Sequence, residues 1–276
     1  MRAALFQANT GTDPLLGARA LVEAVERAAG DGADMLFTPE ISGLLDRDRT
    51  RAAAAIVAEA DDVALAATRE AAARHGIWVH IGSLALRSDR DGAPFVNRGF
   101  VIDDAGAIRA RYDKMHLFDV DLPDGGSWRE STAYHAGETA RAVDTPWGRL
   151  GLSICYDMRF PDLYRGLSDA GATILSVPAA FTVPTGRAHW HVLLRARAIE
   201  AGAFVIAAAQ TGRHADGRET YGHSLVVDPW GEVLLDMGDA PGFATCEIDP
   251  ARVEEVRARI PALRHRRPVG PVEVAG

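Results

Sequence analysis

Three short segments of the chain carry side chains that could together cleave an amide. Glu40 ends the segment FTPE, Lys114 lies in YDKMHLFD, and Cys155 ends the apolar run LGLSIC. A thiol with an ordinary pKa of about 8.5 is only slightly ionised at neutral pH, so it gains from a nearby base and a nearby cation. A glutamate could take the thiol proton, and a lysine could stabilise the thiolate and a developing oxyanion. These residue types predict a nucleophilic site for amides or nitriles that needs neither histidine nor metal.

Each of these residues also has an ordinary structural interpretation. A cysteine in a strand is often a small buried core residue, as Cys155 could be. Glu40 could cap a helix or face solvent, and Lys114 could be a surface charge. Groups just beyond the carboxyl ends of strands gather at one rim of an α/β sheet, where ligands bind. The residues alone leave open whether these three side chains meet.

Short apolar runs alternate with longer alanine-rich runs, which predicts an α/β fold with mixed sheets in a single domain over residues 1–276. Strands are predicted at 3–9, 34–39, 77–86, 99–103, 150–155, 172–177, 203–209, 223–228, 233–236 and 244–248. Helices are predicted at 14–29, 49–74, 161–170 and 187–201, and hairpin turns at 103–106 and 228–231. The irregular stretch 114–140 is too long for a simple connection between two elements, and we expect it to be functional.

Composition argues against several classes of function. The net charge of -8 disfavours a nucleic-acid partner, and the basic stretch 257–267 is interpreted as solvated surface. No apolar run approaches the roughly 20 residues that cross a bilayer, so no membrane partner is expected. The N-terminus lacks a signal-peptide pattern, which favours a cytoplasmic location. Cys155 and Cys246 are therefore expected to be free thiols, with Cys246 in the core.

The segments FTPE, YDKMHLFD and GLSICYDMRFPDLYR, in this order, resemble the three catalytic segments of the nitrilase (carbon–nitrogen hydrolase) superfamily. The likeness continues through AHWHVLLRARAIE to GHSLVVDPWGEVL. It implies a four-layer αββα sandwich with two mixed β-sheets, no cofactor, and a homodimer or higher homo-oligomer. It also implies roles: Glu40 as general base, Cys155 as nucleophile, and Lys114 with the backbone N–H of Tyr156 as oxyanion donors.

The same resemblance implies four further site residues. Glu130, in WRES, would be a second glutamate that supports the lysine and the leaving group. Arg159 would bind a substrate carboxylate, for which a guanidinium is well suited. Phe181 and Thr185 would line the acyl pocket. From the residues alone, Glu130 could be a solvated loop carboxylate, Arg159 could pair with Asp162, and the other two could be loop anchors.

The segments CYDMRFPDL and QTGRHADGRETYGHS most resemble the Nit subfamily, and the second is closer to its deaminated glutathione amidases than to its ω-amidases. The resemblance implies a small-molecule amide substrate, deaminated glutathione, cleaved through a Cys thioester to 2-oxoglutarate and cysteinylglycine. An ω-amidase for 2-oxoglutaramate or 2-oxosuccinamate, a nitrilase or N-carbamoyl amidohydrolase, and a catalytically silent scaffold remain alternatives. ISGLLDRD, after Glu40, lacks an aromatic residue that some relatives offer to the substrate.

A metal site is not expected. His189 and His191 flank Trp190, which could suggest ligation. Residues i and i+2 of a helix do not face one another, so the spacing of these histidines is wrong for two ligands of one ion.

Overall fold

The computed structural model describes residues 1–121 and 126–275. Its strands are β1 (Arg2–Gln7), β2 (Met35–Phe37), β3 (Trp78–Arg87), β4 (Phe95–Ile102), β5 (Ile108–Asp113), β6 (Asp119–Asp121), β7 (Ser127–Arg129), β8 (Tyr134–His135), β9 (Arg141–Thr145), β10 (Gly148–Leu152), β11 (Ile174–Ser176), β12 (Phe204–Ala207), β13 (Thr211–Arg213), β14 (Glu219–Tyr221), β15 (Leu225–Val227), β16 (Val233–Asp236) and β17 (Gly242–Glu247). Its helices are α1 (Pro14–Gly30), α2 (Arg49–Ala55), α3 (Val63–His75), α4 (Pro161–Asp169), α5 (Val183–Ala201), α6 (Ala251–Arg259) and α7 (Ala262–His265).

Two mixed sheets form the centre of the molecule. The first has the order β17-β1-β2-β3-β4-β5, with β8 beside β4, and the second has the order β16-β15-β12-β11-β10-β9. In each sheet three central strands are parallel, namely β1-β2-β3 and β10-β11-β12, and the outer pairs in the two strand orders are antiparallel. Two short hairpins, β6-β7 and β13-β14, lie outside these sheets. The prediction of mixed sheets is confirmed.

Side chains of the first sheet alternate between two apolar layers, as the two-residue period of a strand requires. In β1, Ala3 and Leu5 belong to the core that the two sheets share, whereas Ala4 belongs to the core under α1 and α3. The buried Trp190 and Leu194 of α5 pack with the second sheet. The layers therefore run helix, sheet, sheet, helix, which confirms the αββα architecture.

One predicted helix is wrong as a single element. The structure divides the stretch 49–74 into α2 and α3, separated by a 3₁₀ turn at Glu59–Asp61. Two aspartates explain the division, because each caps its own helix start: the Asp48 side chain accepts from the Thr50 amide at 3.0 Å, and Asp62 accepts from the Leu65 amide at 2.8 Å.

Other predictions have mixed outcomes. The turns at 103–106 and 228–231 do join antiparallel strands, β4 to β5 and β15 to β16. The basic stretch is less solvated than expected, because Arg257 is partly buried and donates to backbone oxygens at the end of α5 and in the connection between α4 and β11. Cys246 is also only partly buried, since it lies on β17 at the edge of its sheet.

The irregular stretch 114–140 contains the β6-β7 hairpin and β8, and its residues 122–125 lie outside the described part of the chain. No helix within the described residues has both the length and the apolarity needed to cross a membrane. The prediction of one domain over residues 1–276 stays a prediction.

Candidate active site

Seven of the eight site residues predicted from the sequence line one cavity of about 820 Å³, among them Glu40, Lys114, Glu130 and Cys155. The buried Lys114 Nζ donates to Glu40 Oε1 at 2.9 Å and to Glu130 Oε2 at 2.9 Å. The cysteine side chain is 7% exposed, beside this ion triad. The structure thus joins segments that are more than a hundred residues apart in the chain.

Glu40 is held by the segment that follows β2. Its Oε1 also accepts from Asn97 Nδ2 at 2.9 Å, and its Oε2 accepts from the Ala180 amide at 2.8 Å. The next residue, Ile41, has a φ of 55°, which is rare for a β-branched residue. The Ile41 amide donates to Ser83 Oγ at 2.9 Å, which helps to hold this strained turn. The carboxylate is therefore fixed from several sides before any ligand binds.

Close approach of the two sheets at this point requires a glycine in β3. A Cβ on Gly82 would lie 2.2 Å from the Thr38 carbonyl oxygen and 2.4 Å from Pro178 Cβ. The Pro178 carbonyl in turn accepts from the Cys155 amide at 2.9 Å. Gly82 thus lets the segment that carries the glutamate lie directly against the segment that holds the cysteine.

Cys155 begins a 3₁₀ turn just after β10, and its φ of 48° places it in the left-handed region. Such backbone strain collects at functional sites and persists only where the surroundings hold it. Asp157 is a main anchor, because its buried Oδ2 accepts from the Ile154 amide at 2.9 Å and from the Tyr112 hydroxyl at 2.7 Å. Its Oδ1 accepts from the His116 amide at 2.9 Å, which ties this turn to the segment of Lys114.

The electrostatics of the cluster favour a charged carboxylate and a neutral thiol. Burial by itself would raise the pKa of Glu40, but the charge and hydrogen bond of Lys114 more than offset it, so this pKa is lowered. Burial also opposes the charge of Lys114, yet Glu130 and Glu40 hold its pKa above the usual value. The pKa of Cys155 is raised, first by burial and then by the negative charge of Glu40. The resting thiol therefore keeps its proton next to a carboxylate that can take it.

Glu130 contacts more than the lysine. Its Oε2 also accepts from the Phe118 amide at 2.6 Å, and its side chain is 15% exposed. Asn97 Nδ2 lies 3.4 Å from Glu130 Oε1, so the amide group of this β4 residue bridges both carboxylates. Neither Asn97 nor the role of Asp157 was predicted from the sequence. Asp157 lies within the segment GLSICYDMRFPDLYR, whereas no motif in a single sequence marks Asn97.

The remaining predicted residues lie at the start of α5 and on the 3₁₀ turn Cys155–Arg159, here called the nucleophile turn after the role predicted for Cys155. The Tyr156 amide makes no hydrogen bond within the described residues. Phe181 and Thr185 line the cavity. Arg159 does not line it; its guanidinium carbon lies 5.3 Å from the Phe181 ring centroid, and its Nη2 donates to His189 Nδ1 at 3.3 Å.

Cationic side chains outnumber anionic ones around the cavity, although the whole chain has a net charge of -8. Among the described residues that line it, the cations are Arg47, Arg49, Lys114, Arg129, Arg187 and Arg218, and the anions are Glu40, Asp46, Glu130 and Glu219. Aromatic rings cover much of the remaining wall, from Phe95, Phe118, Trp128, Tyr134, Tyr156 and Phe181. This lining suits a ligand that carries negative charge.

The two histidines of α5 contact different partners. His189 accepts from Arg159, whereas His191 Nε2 lies 2.9 Å from Asp236 Oδ2. His223 Nδ1 lies 2.9 Å from the other oxygen of the same carboxylate, so His191, Asp236 and His223 form a hydrogen-bonded bridge at the surface. None of these residues lines the cavity around Cys155.

Comparison with known proteins agrees with this geometry. A family model described as carbon–nitrogen hydrolase matches residues 2–258. The chain is 45% identical over 200 residues to the deaminated glutathione amidase of Yersinia enterocolitica, covering 72% of this chain and 70% of that protein. It is 38% identical over 268 residues to the protein of that name from Homo sapiens, covering 96% and 82%. The crystal structure of the Caenorhabditis elegans NitFhit protein superposes with a TM-score of 0.89 at 40% identity, over 96% of this chain and 65% of that chain. The chain belongs to the carbon–nitrogen hydrolase family.

Proposed function

We propose that this protein is an amidase that hydrolyses deaminated glutathione to 2-oxoglutarate and cysteinylglycine. The observation that carries the proposal is the placement of Cys155 beside the buried Glu40–Lys114–Glu130 cluster, in a cavity of about 820 Å³. Small-molecule pockets have volumes of roughly 300–1,000 Å³, so a cavity of this volume suits a small-molecule amide such as deaminated glutathione. The names of relatives that are 38–45% identical support the choice of substrate.

In the first half of the proposed reaction, Cys155 is acylated. Sγ attacks the amide carbonyl carbon while Glu40 takes the thiol proton, which suits a resting site with a neutral thiol and a charged carboxylate. Lys114 Nζ and the Tyr156 N–H stabilise the tetrahedral oxyanion. The C–N bond then breaks, and the proton held by Glu40 goes to the departing amine. The products of this half are a thioester and free cysteinylglycine.

In the second half, water opens the thioester. Glu40 takes a proton from the water as it attacks the acyl carbon, the C–S bond breaks, and the sulfur recovers its proton. Glu130 holds Lys114 in place through two oxygens at 3.1 and 2.9 Å, and it lies at the cavity wall where the amine departs. These steps use only side chains, the Tyr156 backbone N–H and water, so the proposal includes no metal or cofactor.

Arg159 is proposed to bind the 2-oxo acid carboxylate of the acyl part, beside Phe181 and Thr185. Its guanidinium contacts a histidine nitrogen and two aromatic rings instead of the predicted alternative Asp162, so its positive charge is not neutralised by an ion pair within the described residues. A guanidinium stacked on rings keeps donors available for a planar carboxylate.

Replacement of Arg159 tests this assignment. We expect Arg159→Gln to lower kcat/KM by roughly 10- to 100-fold for both deaminated glutathione and 2-oxoglutaramate, since a hydrogen bond to a charged group is lost. An amide of similar length without the 2-oxo acid carboxylate should be affected less than about twofold on the same reasoning. Arg165→Gln, at an exposed position of α4, is the matched control. Equal losses for all three amides would contradict the assignment.

A substrate panel tests the proposed function itself. The purified protein is assayed for product release from deaminated glutathione, 2-oxoglutaramate, a simple nitrile and an N-carbamoyl amino acid. We expect the highest kcat/KM with deaminated glutathione and measurable activity with 2-oxoglutaramate, because the two share one acyl group. Preference for the nitrile or the carbamoyl compound would refute the proposal, and failure of every compound would favour a silent scaffold.

We also propose that the protein is cytoplasmic, that it forms a homodimer or higher homo-oligomer, and that it has no nucleic-acid or membrane partner. The net charge of -8 supports the lack of a nucleic-acid partner. Val192 and Ile199 of α5 are 67% and 53% exposed, which supports self-association through that helix.

A further inference from the structure

The β13-β14 hairpin places an arginine in the cavity wall. Its loop carries Asp216, whose side chain is completely buried, and Arg218, which lines the cavity. Asp216 Oδ1 accepts from the Arg218 amide at 2.9 Å, and its Oδ2 accepts from the Arg47 amide at 2.8 Å. The loop is therefore tied to the segment that follows Glu40, and the backbone of Arg218 is held in place without a ligand.

The guanidinium of Arg218 is held in place, but not all of its hydrogen-bond donors have partners within the described residues. Its central carbon lies 5.0 Å from the ring centroid of Trp128, and its side chain is 18% exposed. The contact between Nη2 and Asp216 Oδ2 is long, at 3.5 Å, and that oxygen already accepts a backbone amide. Among the residues that the structure describes, the buried Nε has no hydrogen-bond partner. Buried donors are rarely left unpaired, so this cation has capacity for a further acceptor.

Ring contacts connect this arginine to the nucleophile turn. Trp128 lies 6.2 Å from the ring of Phe118, which lies 5.1 Å from the ring of Tyr156, next to Cys155. Arg159 lies on the Phe181 side of the same turn. Arg218 is thus separated from the cysteine by a short wall of rings, on the side of the Glu130 segment. Arg218 and Cys155 both line the same cavity, so a leaving group that extends from the sulfur along this wall can approach the guanidinium.

We propose that Arg218 binds the terminal carboxylate of the departing cysteinylglycine and so selects amides of a dipeptide over amides of ammonia. This inference rests on the proposed function and deepens it, because it assigns a leaving-group subsite to the loop HADGR. The guanidinium matches a planar carboxylate with two parallel hydrogen bonds, and Trp128 and Asp216 orient it beforehand. Arg159 is proposed to bind the acyl part of the substrate and Arg218 the leaving group, so substrates that lack one of the two carboxylates separate the effects of the two arginines.

The test compares two variants on three amides. Arg218→Gln and the matched control Arg213→Gln, an exposed arginine of the same hairpin, are assayed with deaminated glutathione, with its analogue whose terminal carboxylate is a primary carboxamide, and with 2-oxoglutaramate. We expect Arg218→Gln to lower kcat/KM for deaminated glutathione by roughly 10- to 100-fold, mainly through KM, and to change the other two less than about twofold. Arg218→Lys, which keeps the charge but loses the planar fork, should lie between.

The outcomes separate this inference from the proposed function. If Arg218→Gln keeps the wild-type preference for the terminal carboxylate, the inference is wrong while the amidase stands. A uniform loss on all three amides shows a structural role for Arg218 and also overturns it. A wild-type protein that cleaves none of them overturns both the function and the subsite.

Discussion

Cys155→Ala is expected to abolish amide hydrolysis, with kcat lowered by at least about 10⁴-fold, because no other group near the lysine and glutamates can form a thioester. Alanine keeps a Cβ in the same left-handed conformation, so the free energy of unfolding should change little. The wild-type protein, stopped with acid during turnover, should carry the acyl part of the substrate on Cys155 by peptide mass spectrometry.

The second cysteine provides the matched control for this experiment. Cys246 lies on β17 at the edge of its sheet and does not line the cavity, so Cys246→Ala should keep wild-type kcat and wild-type acylation. Substrate should slow the reaction of a thiol-directed label with Cys155, and it should leave the reaction of the label with Cys246 unchanged. Appreciable turnover by Cys155→Ala would end the proposed mechanism.

Lys114→Met is expected to lower kcat by about 10²- to 10³-fold, the usual effect of losing one oxyanion donor. It should also lower the free energy of unfolding by about 3–5 kcal/mol, because two carboxylates remain buried without their cation. Denaturant unfolding followed by circular dichroism, together with steady-state kinetics, measures both effects.

A compensating variant separates chemistry from folding. In the triple variant Lys114→Met with Glu40→Gln and Glu130→Gln, no uncompensated charge is left in the cluster, so much of the lost stability should return. Activity should stay absent, because both the base and the oxyanion donor are gone. Recovery of activity along with stability would show that the cluster only supports the fold.

The pH dependence of stability has a definite sign for this cluster. The pKa of Glu40 is lowered in the folded protein, so the stability it contributes is present above the ordinary glutamate pKa of about 4.5. That contribution is lost as the pH falls below this value and through the lower folded pKa. As the pH is lowered from 5, the free energy of unfolding should therefore fall more steeply for the wild type than for the triple variant. If the two proteins show parallel pH dependence, the Glu40–Lys114–Glu130 cluster does not contribute this stability.

The sequence by itself determined much of this protein. Apolar runs bounded by turn residues predicted most strands of the two main sheets, although not β5, β8 or β9, and the Asp-x-x-Gly turns at 103–106 and 228–231 predicted two hairpins. These features depend on neighbours in the chain, so local patterns reveal them. Glu40, Lys114 and Cys155 could be nominated because each ends or follows a strand within a recognisable segment.

Only the tertiary structure decided which polar groups support those residues. Asn97 bridges Glu40 and Glu130 across 57 and 33 residues of chain, and Asp157 ties the nucleophile turn to His116 across 41 residues. Such contacts depend on how two sheets pack and on strand register, which no local pattern encodes. Arg218 is likewise one arginine among many in the sequence. In the described part of the folded chain it lies over the Trp128 ring, and its buried Nε has no hydrogen-bond partner there.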